Sequence, residues 1–195
     1  MGTFAEVLRY LLQSLLGVLL FAVLLRLLLQ LVRADFYNPV SQLVVKVTNP
    51  LLRPLRRLIP PLGRLDSSSV VLALAIQCVT ALLVFALAGY PAPNPLLLLA
   101  WGAIGVCALV VNMYFFAILA MIVLSWVAPH SRHPAIALLH QLTEPVMAPV
   151  RRLLPPLGGL DLSPILVFLA INVLEILLRG LANGIGLPAG AVIGF

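Results

Sequence analysis

The sequence predicts an all-α integral membrane protein. About four transmembrane helices fall into two parallel tandem repeats, each with an amphipathic interfacial segment between its two spans. Three observations lead there. Of 195 residues, 63% are hydrophobic and 9% are charged, with a mean hydropathy of +1.16. An average soluble domain is about 45–50% apolar and about 25% charged. Four apolar runs approach or exceed the roughly 20 residues that cross a bilayer core. Two polar stretches superimpose on one another at an offset of 95 residues.

The composition excludes several classes. Twelve basic and six acidic side chains cannot cover the surface of a soluble enzyme or nucleic-acid-binding domain of this size. Intrinsic disorder requires low hydrophobicity and is excluded too. The net charge of +6 is assigned to topology and to anionic lipid head groups, and no direct nucleic-acid contact is expected. Cys78 and Cys107 both lie in apolar runs and are read as small buried hydrophobes.

The first run, Val7 to Val32, follows an N-terminus without a basic region and shows no cleavage site, so it is read as a retained first span. The second run is Val70 to Ala88. The third, Leu96 to Val127, contains 32 residues without a charge. As one helix it would be about 48 Å long, against a hydrocarbon core of about 30 Å. Gly102 and Gly105 are candidate bend points. The fourth runs from Pro164 to about Leu178, and a Gly-rich apolar tail follows.

The repeat organises these pieces. Between 38–66 and 133–161 there are 14 identities in 29 positions, including Pro54, Arg56, Arg57 and Asp66 against Pro149, Arg151, Arg152 and Asp161. The first repeat occupies 1–90, with spans at about 7–32 and 70–88 and a polar segment over 33–69. The second occupies 96–180, with spans at about 103–127 and 164–178 and a polar segment over 128–163; the tail is 181–195. Two spans per copy return the chain to its starting side, so both polar segments share one membrane face. They hold nine of the 12 basic residues. By the positive-inside rule that face is cytoplasmic and the termini are periplasmic, in an inner membrane.

Each polar segment has a shape of its own. Pro39 to Val47 reads as a short amphipathic helix with Pro at its first position. Thr48-Asn49-Pro50 is expected to stop it and to cap a second helix, which Pro60-Pro61 ends. Pro155-Pro156 marks the matching point in the second copy. Leu51, Leu52, Leu55, Leu58 and Ile59 would face the lipid, with Arg53, Arg56 and Arg57 at the phosphates. Asp66 with Ser68, and Asp161 with Ser163, are expected to cap the spans that follow.

This doubled pattern resembles the YggT family of bacterial membrane proteins. The residues that carry the resemblance are Asp35-Phe36-Tyr37-Asn38-Pro39, Lys46-Val47-Thr48 and Pro54-Leu55-Arg56-Arg57-Leu58-Ile59-Pro60, with Pro149-Val150-Arg151-Arg152-Leu153-Leu154-Pro155 and Gly158-Gly159-Leu160-Asp161 in the second copy. It implies links to osmotic or extracytoplasmic stress and ion balance, and to complex assembly in relatives. It implies no catalytic residues.

Two sets of candidate residues follow. Arg53, Arg56, Arg57, Arg151 and Arg152 form a candidate lipid or partner face. Arg26, Gln77, Asn172 and Glu175 form a candidate intramembrane polar cluster. Arg26 lies about 10 Å from the basic end of its span, as either a snorkelling arginine or an inward one that binds an anion or a partner. Glu175 and Arg179 are spaced for a local ion pair. His130, His133 and His140 align with Asp35, Asn38 and Val45, so the repeat does not keep them, and no metal or cofactor is assigned. The expected function is non-enzymatic: a scaffold or assembly factor with a membrane-protein partner or as a homo-oligomer. A small ion channel or transporter subunit is the alternative.

Overall fold

The computed structural model describes residues 2–128, 131, 133–153 and 161–195. Among the described residues six helices run in the order α1 (Thr3–Leu31), α2 (Pro39–Leu58), α3 (Ser67–Ala88), α4 (Pro95–Val127), α5 (Pro134–Leu153) and α6 (Ser163–Gly184). Four of them, α1, α3, α4 and α6, are long and apolar enough to cross a membrane. This is a multi-pass membrane protein. The spans contact one another in the sequence α1–α3–α4–α6, while α2 lies against α1 and α3 and α5 lies against α4 and α6.

The repeat is visible in the packing. Leu52 of α2 is fully buried beside Val23, Leu72 and Ile76. The positions 95 residues later, Met147, Ile118, Val167 and Ile171, form the corresponding cluster in the second copy. Each repeat therefore builds its own core from one set of positions. Many other large apolar side chains of the spans stay exposed, among them Leu15, Val18, Phe116 and Ile176. In lipid that exposure carries no penalty, because hydrocarbon tails are as apolar as the side chains.

Four expectations are corrected. First, α2 is one helix through Pro50 and Pro54, not two, and α5 likewise continues through Pro145 and Pro149. A proline removes one hydrogen bond and crowds the carbonyl four residues back. All four prolines lie on the exposed side, where the freed carbonyls can turn outward and the helix can bend away from them. Second, α4 is unbroken. Its glycines are approach points: a Cβ on Gly105 would stand 2.6 Å from Gln77 Nε2 and 3.0 Å from Val192 Cγ2. Third, Cys107 is exposed on α4 and not buried, since an apolar run in a membrane has a lipid face as well as a protein face. Fourth, α6 continues past Leu178 to Gly184, through Arg179 and Gly180.

The tail also has a structure. It folds back between α1, α3 and α4, with Ala191 and Val192 each 1% exposed. Gln77, near the middle of α3, meets it as a peptide would: its Nε2 donates to the Ile193 carbonyl (2.8 Å) and its Oε1 accepts from the Ile193 N–H (2.9 Å). Gln13 Nε2 donates to the Gly190 carbonyl at 2.7 Å, and Trp101 Nε1 to that of Ile185 at 3.2 Å. Irregular backbone at membrane depth must be satisfied by protein, and these three side chains do so.

Gln77→Leu leaves both Ile193 backbone groups unpaired, at about 1–3 kcal/mol for each. The expected outcome is a lower thermal midpoint in detergent together with faster proteolysis of residues 185–195. Unchanged protection of the tail would show that the amide contacts do not hold it.

Candidate functional site

The basic face is built by α2 and α5. Asn38 starts α2 by accepting from the Val40 N–H (3.0 Å), with Pro39 at the first helical position. His133 does the same work for α5, its Nδ1 accepting from the Ala135 N–H at 3.2 Å beside Pro134. His130, Arg132 and 154–160, including Pro155-Pro156 and Gly158, lie outside the described residues. The two helices are stitched together where they begin. Asn38 Nδ2 donates to the Pro134 carbonyl (2.8 Å), and Gln141 Oε1 accepts from the Asp35 N–H (2.9 Å).

The five arginines of the candidate face divide into two kinds. Arg56 near the end of α2 bonds Asp66 at the start of α3 through Nη2 and Oδ2. Arg151 bonds Asp161 at 3.1 Å, the same pair one repeat later, and Glu144 at 2.9 Å. These two arginines clip the interfacial helices to the spans that follow. Arg53, Arg57 and Arg152 are exposed and form no ion pair among the described residues. The Arg-Arg dipeptide thus combines a structural first residue with an available second one.

Asp66 does not cap α3 as expected. Asp66 occupies the N-cap position, but its carboxylate accepts from Arg56 and from the Ser69 hydroxyl (2.7 Å). Ser68 donates to the Ile59 carbonyl. The stronger attraction of a guanidinium turns the carboxylate away from the helix terminus. Asp161 is shared, accepting from the Ser163 N–H as well as from Arg151. Burial alone would push the Asp66 carboxyl up, but the hydrogen bonds from Arg56 and Ser69 bring it below its ordinary value of 3.8.

The structure does not bring Arg26, Gln77, Asn172 and Glu175 together. Gln77 is engaged with the tail. Asn172 is exposed on α6 and donates only to the Phe168 carbonyl of its own helix. Glu175 pairs with Arg179 at 3.5 Å on that helix. Arg26 is 7% exposed, so it does not snorkel into lipid. Its Nη1 donates to Thr48 Oγ1 (2.7 Å) and Asn49 Oδ1 (2.9 Å) of α2. In the second copy Thr143 donates to Met121 Sδ at 3.1 Å, so the same two positions touch without a charge.

Arg26 also lines a cavity of about 320 Å³ at the basic end of α1, with Gln30, Arg33, Ser41 and Arg56. Arg33 is the one non-glycine residue with positive φ (56°) among the described residues. It closes α1 with Arg33 N–H on Gln30 and Ala34 N–H on Leu29, a turn in which glycine is usual; Gly89 closes α3 the same way. A side chain there costs on the order of 1 kcal/mol. On the other side of Leu29 an apolar groove of about 410 Å³ runs between α1 and α4 over α5. Neither cavity was apparent from the sequence, because both need the docking of α2 and α5 on the spans. The Arg56–Asp66 pair did leave a signal: both residues recur at one offset.

A family model described as CCB3/YggT matches residues 5–87 and 100–182, and these two segments stand 95 residues apart at both ends. An uncharacterized protein of Pseudomonas aeruginosa is 49% identical over 181 residues, covering 92% of both chains. The uncharacterized protein YggT of Escherichia coli K12 is 36% identical over 168 residues, 86% of this chain and 87% of that one. A chloroplastic YlmG homolog protein 2 of Arabidopsis thaliana is 45% identical over 62 residues, 31% of this chain and 24% of its own. No solved structure matches the chain.

Two predictions follow from the clip. Arg56→Ser strands a buried carboxylate, a loss of about 3 kcal/mol or more, whereas Arg57→Ser, on an exposed side chain, stays within about 0.5 kcal/mol. Chemical or thermal unfolding in one detergent checks the contrast. Asp66 titrates lower folded than unfolded, so its contribution is complete above its unfolded value of about 4 and is lost as pH falls below it. Thermal midpoints of wild type and Asp66→Asn are therefore expected to converge as pH drops from 7 toward 3. A constant gap would rule out the pair as the source.

Proposed function

The chain belongs to the CCB3/YggT family, and from that premise we propose that it is a non-enzymatic scaffold or assembly factor for another membrane protein. The observation that carries this reading is the doubled basic platform. Two helices of 20 residues each are clipped by an Arg–Asp pair to the span that follows. The clips leave Arg53, Arg57 and Arg152, together with Lys46, pointing outward. An exposed apolar row, Leu43, Val47, Leu51 and Leu58, runs beside them. The chemistry on offer is recognition of acidic and amphipathic surfaces, held at a fixed register.

The outer face of α6 favours an intramembrane component of the same contact. Asn172 sits near mid-span, exposed, between Leu169 and Ile176. An amide facing hydrocarbon is unfavourable and becomes favourable when a neighbouring helix supplies a partner. Conduction has less support. A lining for ions would need the polar side chains to face one another, and Arg26, Gln77, Asn172 and Glu175 have separate partners. The positive-inside rule favours a cytoplasmic platform in an inner membrane, and the family resemblance suggests osmotic or extracytoplasmic stress as the setting.

Crosslinking in cells from a probe beside Arg57, followed by partner identification, tests the reading. A reproducible membrane-protein partner is expected. Capture should fall severalfold in an Arg53→Ser/Arg57→Ser/Arg152→Ser variant present at wild-type levels. Recovery of the chain alone, or of no partner, would overturn it. A periplasm-only reporter fused at Gly63 is expected to be silent, and activity there would overturn the orientation.

A further inference from the structure

We infer that the first repeat holds one anionic phospholipid, with its phosphate in the arginine cavity at the end of α1 and an acyl chain in the apolar groove between α1 and α4. The cavity brings Arg26, Arg33 and Arg56 together with the polar side chains of Gln30 and Ser41, and no carboxylate lines it among the described residues. Arg56 is already matched by Asp66. Arg26 forms no direct ion pair among the described residues: it is buried, its Nη1 bonds reach only neutral oxygens of Thr48, Asn49 and Val45, and the nearby Asp66 is bonded to Arg56 instead. Among the described residues no acceptor meets its Nε or Nη2. A buried guanidinium of this kind calls for an anion, and the planar fork of donors fits a phosphate ester.

Three further features select a lipid as the carrier of that phosphate. The cavity lies one to two turns from the end of a span, at the depth of head groups. Its wall at Leu29 is also a wall of the apolar groove, which Phe21, Leu25, Met113, Phe116 and Ala117 line further into the membrane. A charged chamber and an apolar channel that adjoin in this order match the polarity of an amphiphile. The left-handed backbone at Arg33 keeps a long cationic side chain at the mouth where glycine would close the helix with less strain. The second repeat, with Met121 at the position of Arg26, lacks the buried charge. Basic pockets between spans are a recognised means of holding anionic head groups. The site uses residues other than Arg53, Arg57 and Arg152, so it stands or falls apart from the scaffold reading.

The test is native mass spectrometry of the full chain released from phosphatidylcholine nanodiscs doped with phosphatidylglycerol. Thermal shift runs in parallel with each lipid and with inorganic phosphate. One phosphatidylglycerol per chain should be retained, and it should raise the thermal midpoint. Retention should fall roughly tenfold in Arg26→Met, which borrows the second repeat's residue, and in Arg33→Gln. Arg33 is exposed, so that variant reads the site even where loss of the Arg26 anchor affects folding. Ala117→Trp, which fills the groove, should also lower retention, and Arg9→Gln, at the opposite end of α1, should not. Equal retention by wild type and Arg33→Gln would overturn the proposal, as would equal retention of phosphatidylcholine. A shift of the same size from inorganic phosphate alone would overturn the lipid assignment, and unchanged retention in Ala117→Trp would overturn the acyl half.

Discussion

The fold depends on an ion pair that occurs twice. An amphipathic helix at a membrane surface can slide and roll, because lipid offers no register. The bond from Arg56 to Asp66, and from Arg151 to Asp161, removes that freedom. It joins the last turn of each interfacial helix to the first residues of the next span. With the clip set, Leu52 and Met147 reach their pockets, each fully buried. Thr48 and Thr143 then come within reach of α1 and α4. Asp66 is 1% exposed, which gives this pair more weight than an exposed one. Its partner in the second copy is more open and is shared with Glu144.

What was legible in the sequence follows from what the membrane demands. Spans were readable because the bilayer requires long apolar runs, and the interfacial helices because the repeat placed Pro, Arg, Gly and Asp at one offset. The continuity of α2 through Pro50 and Pro54 was not. Proline rules describe a helix interior surrounded by its own carbonyls, and here both rings sit on an outer face where the missing bonds are tolerated. Gly105 was open to a second reading for a related reason. A glycine in a span can mark a bend or a close contact, and only the neighbour at that depth, Gln77, distinguishes them.

The candidate site was legible in its parts and not in its assembly. Arg26 stood out as a charge inside a span, but its reach to Thr48 and Asn49 depends on where α2 docks. Grouping Arg26, Gln77, Asn172 and Glu175 rested on polarity alone, and polarity in a membrane has several outlets. Gln77 serves the tail, Asn172 its own helix and Glu175 Arg179. The tail could not be anticipated, since its buried state comes from Gln13, Gln77 and Trp101, side chains more than 80 residues away on three different spans.

The places where the two copies differ are the most informative about division of labour. Duplication gives each position a built-in control, because the same backbone environment is sampled twice. Positions that build the core keep their character, as Leu52 and Met147 or Leu72 and Val167 do. Among the pairs that differ, three lie inside the spans at polar positions the structure explains: Arg26 with Met121, Gln77 with Asn172, and Thr80 with Glu175. In the first copy these side chains turn inward, toward α2, the tail and their own helix. In the second, the α6 members turn outward or pair along the helix surface. The first copy turns its polar side chains inward, the buried arginine toward α2 and the amide of Gln77 toward the C-terminal tail. The second copy leaves an amide exposed at mid-span, bonded only to its own helix. One repeat unit, with the same Arg–Asp pair in both copies, thus carries inward-turned polar groups in its first copy and an outward-turned one in its second.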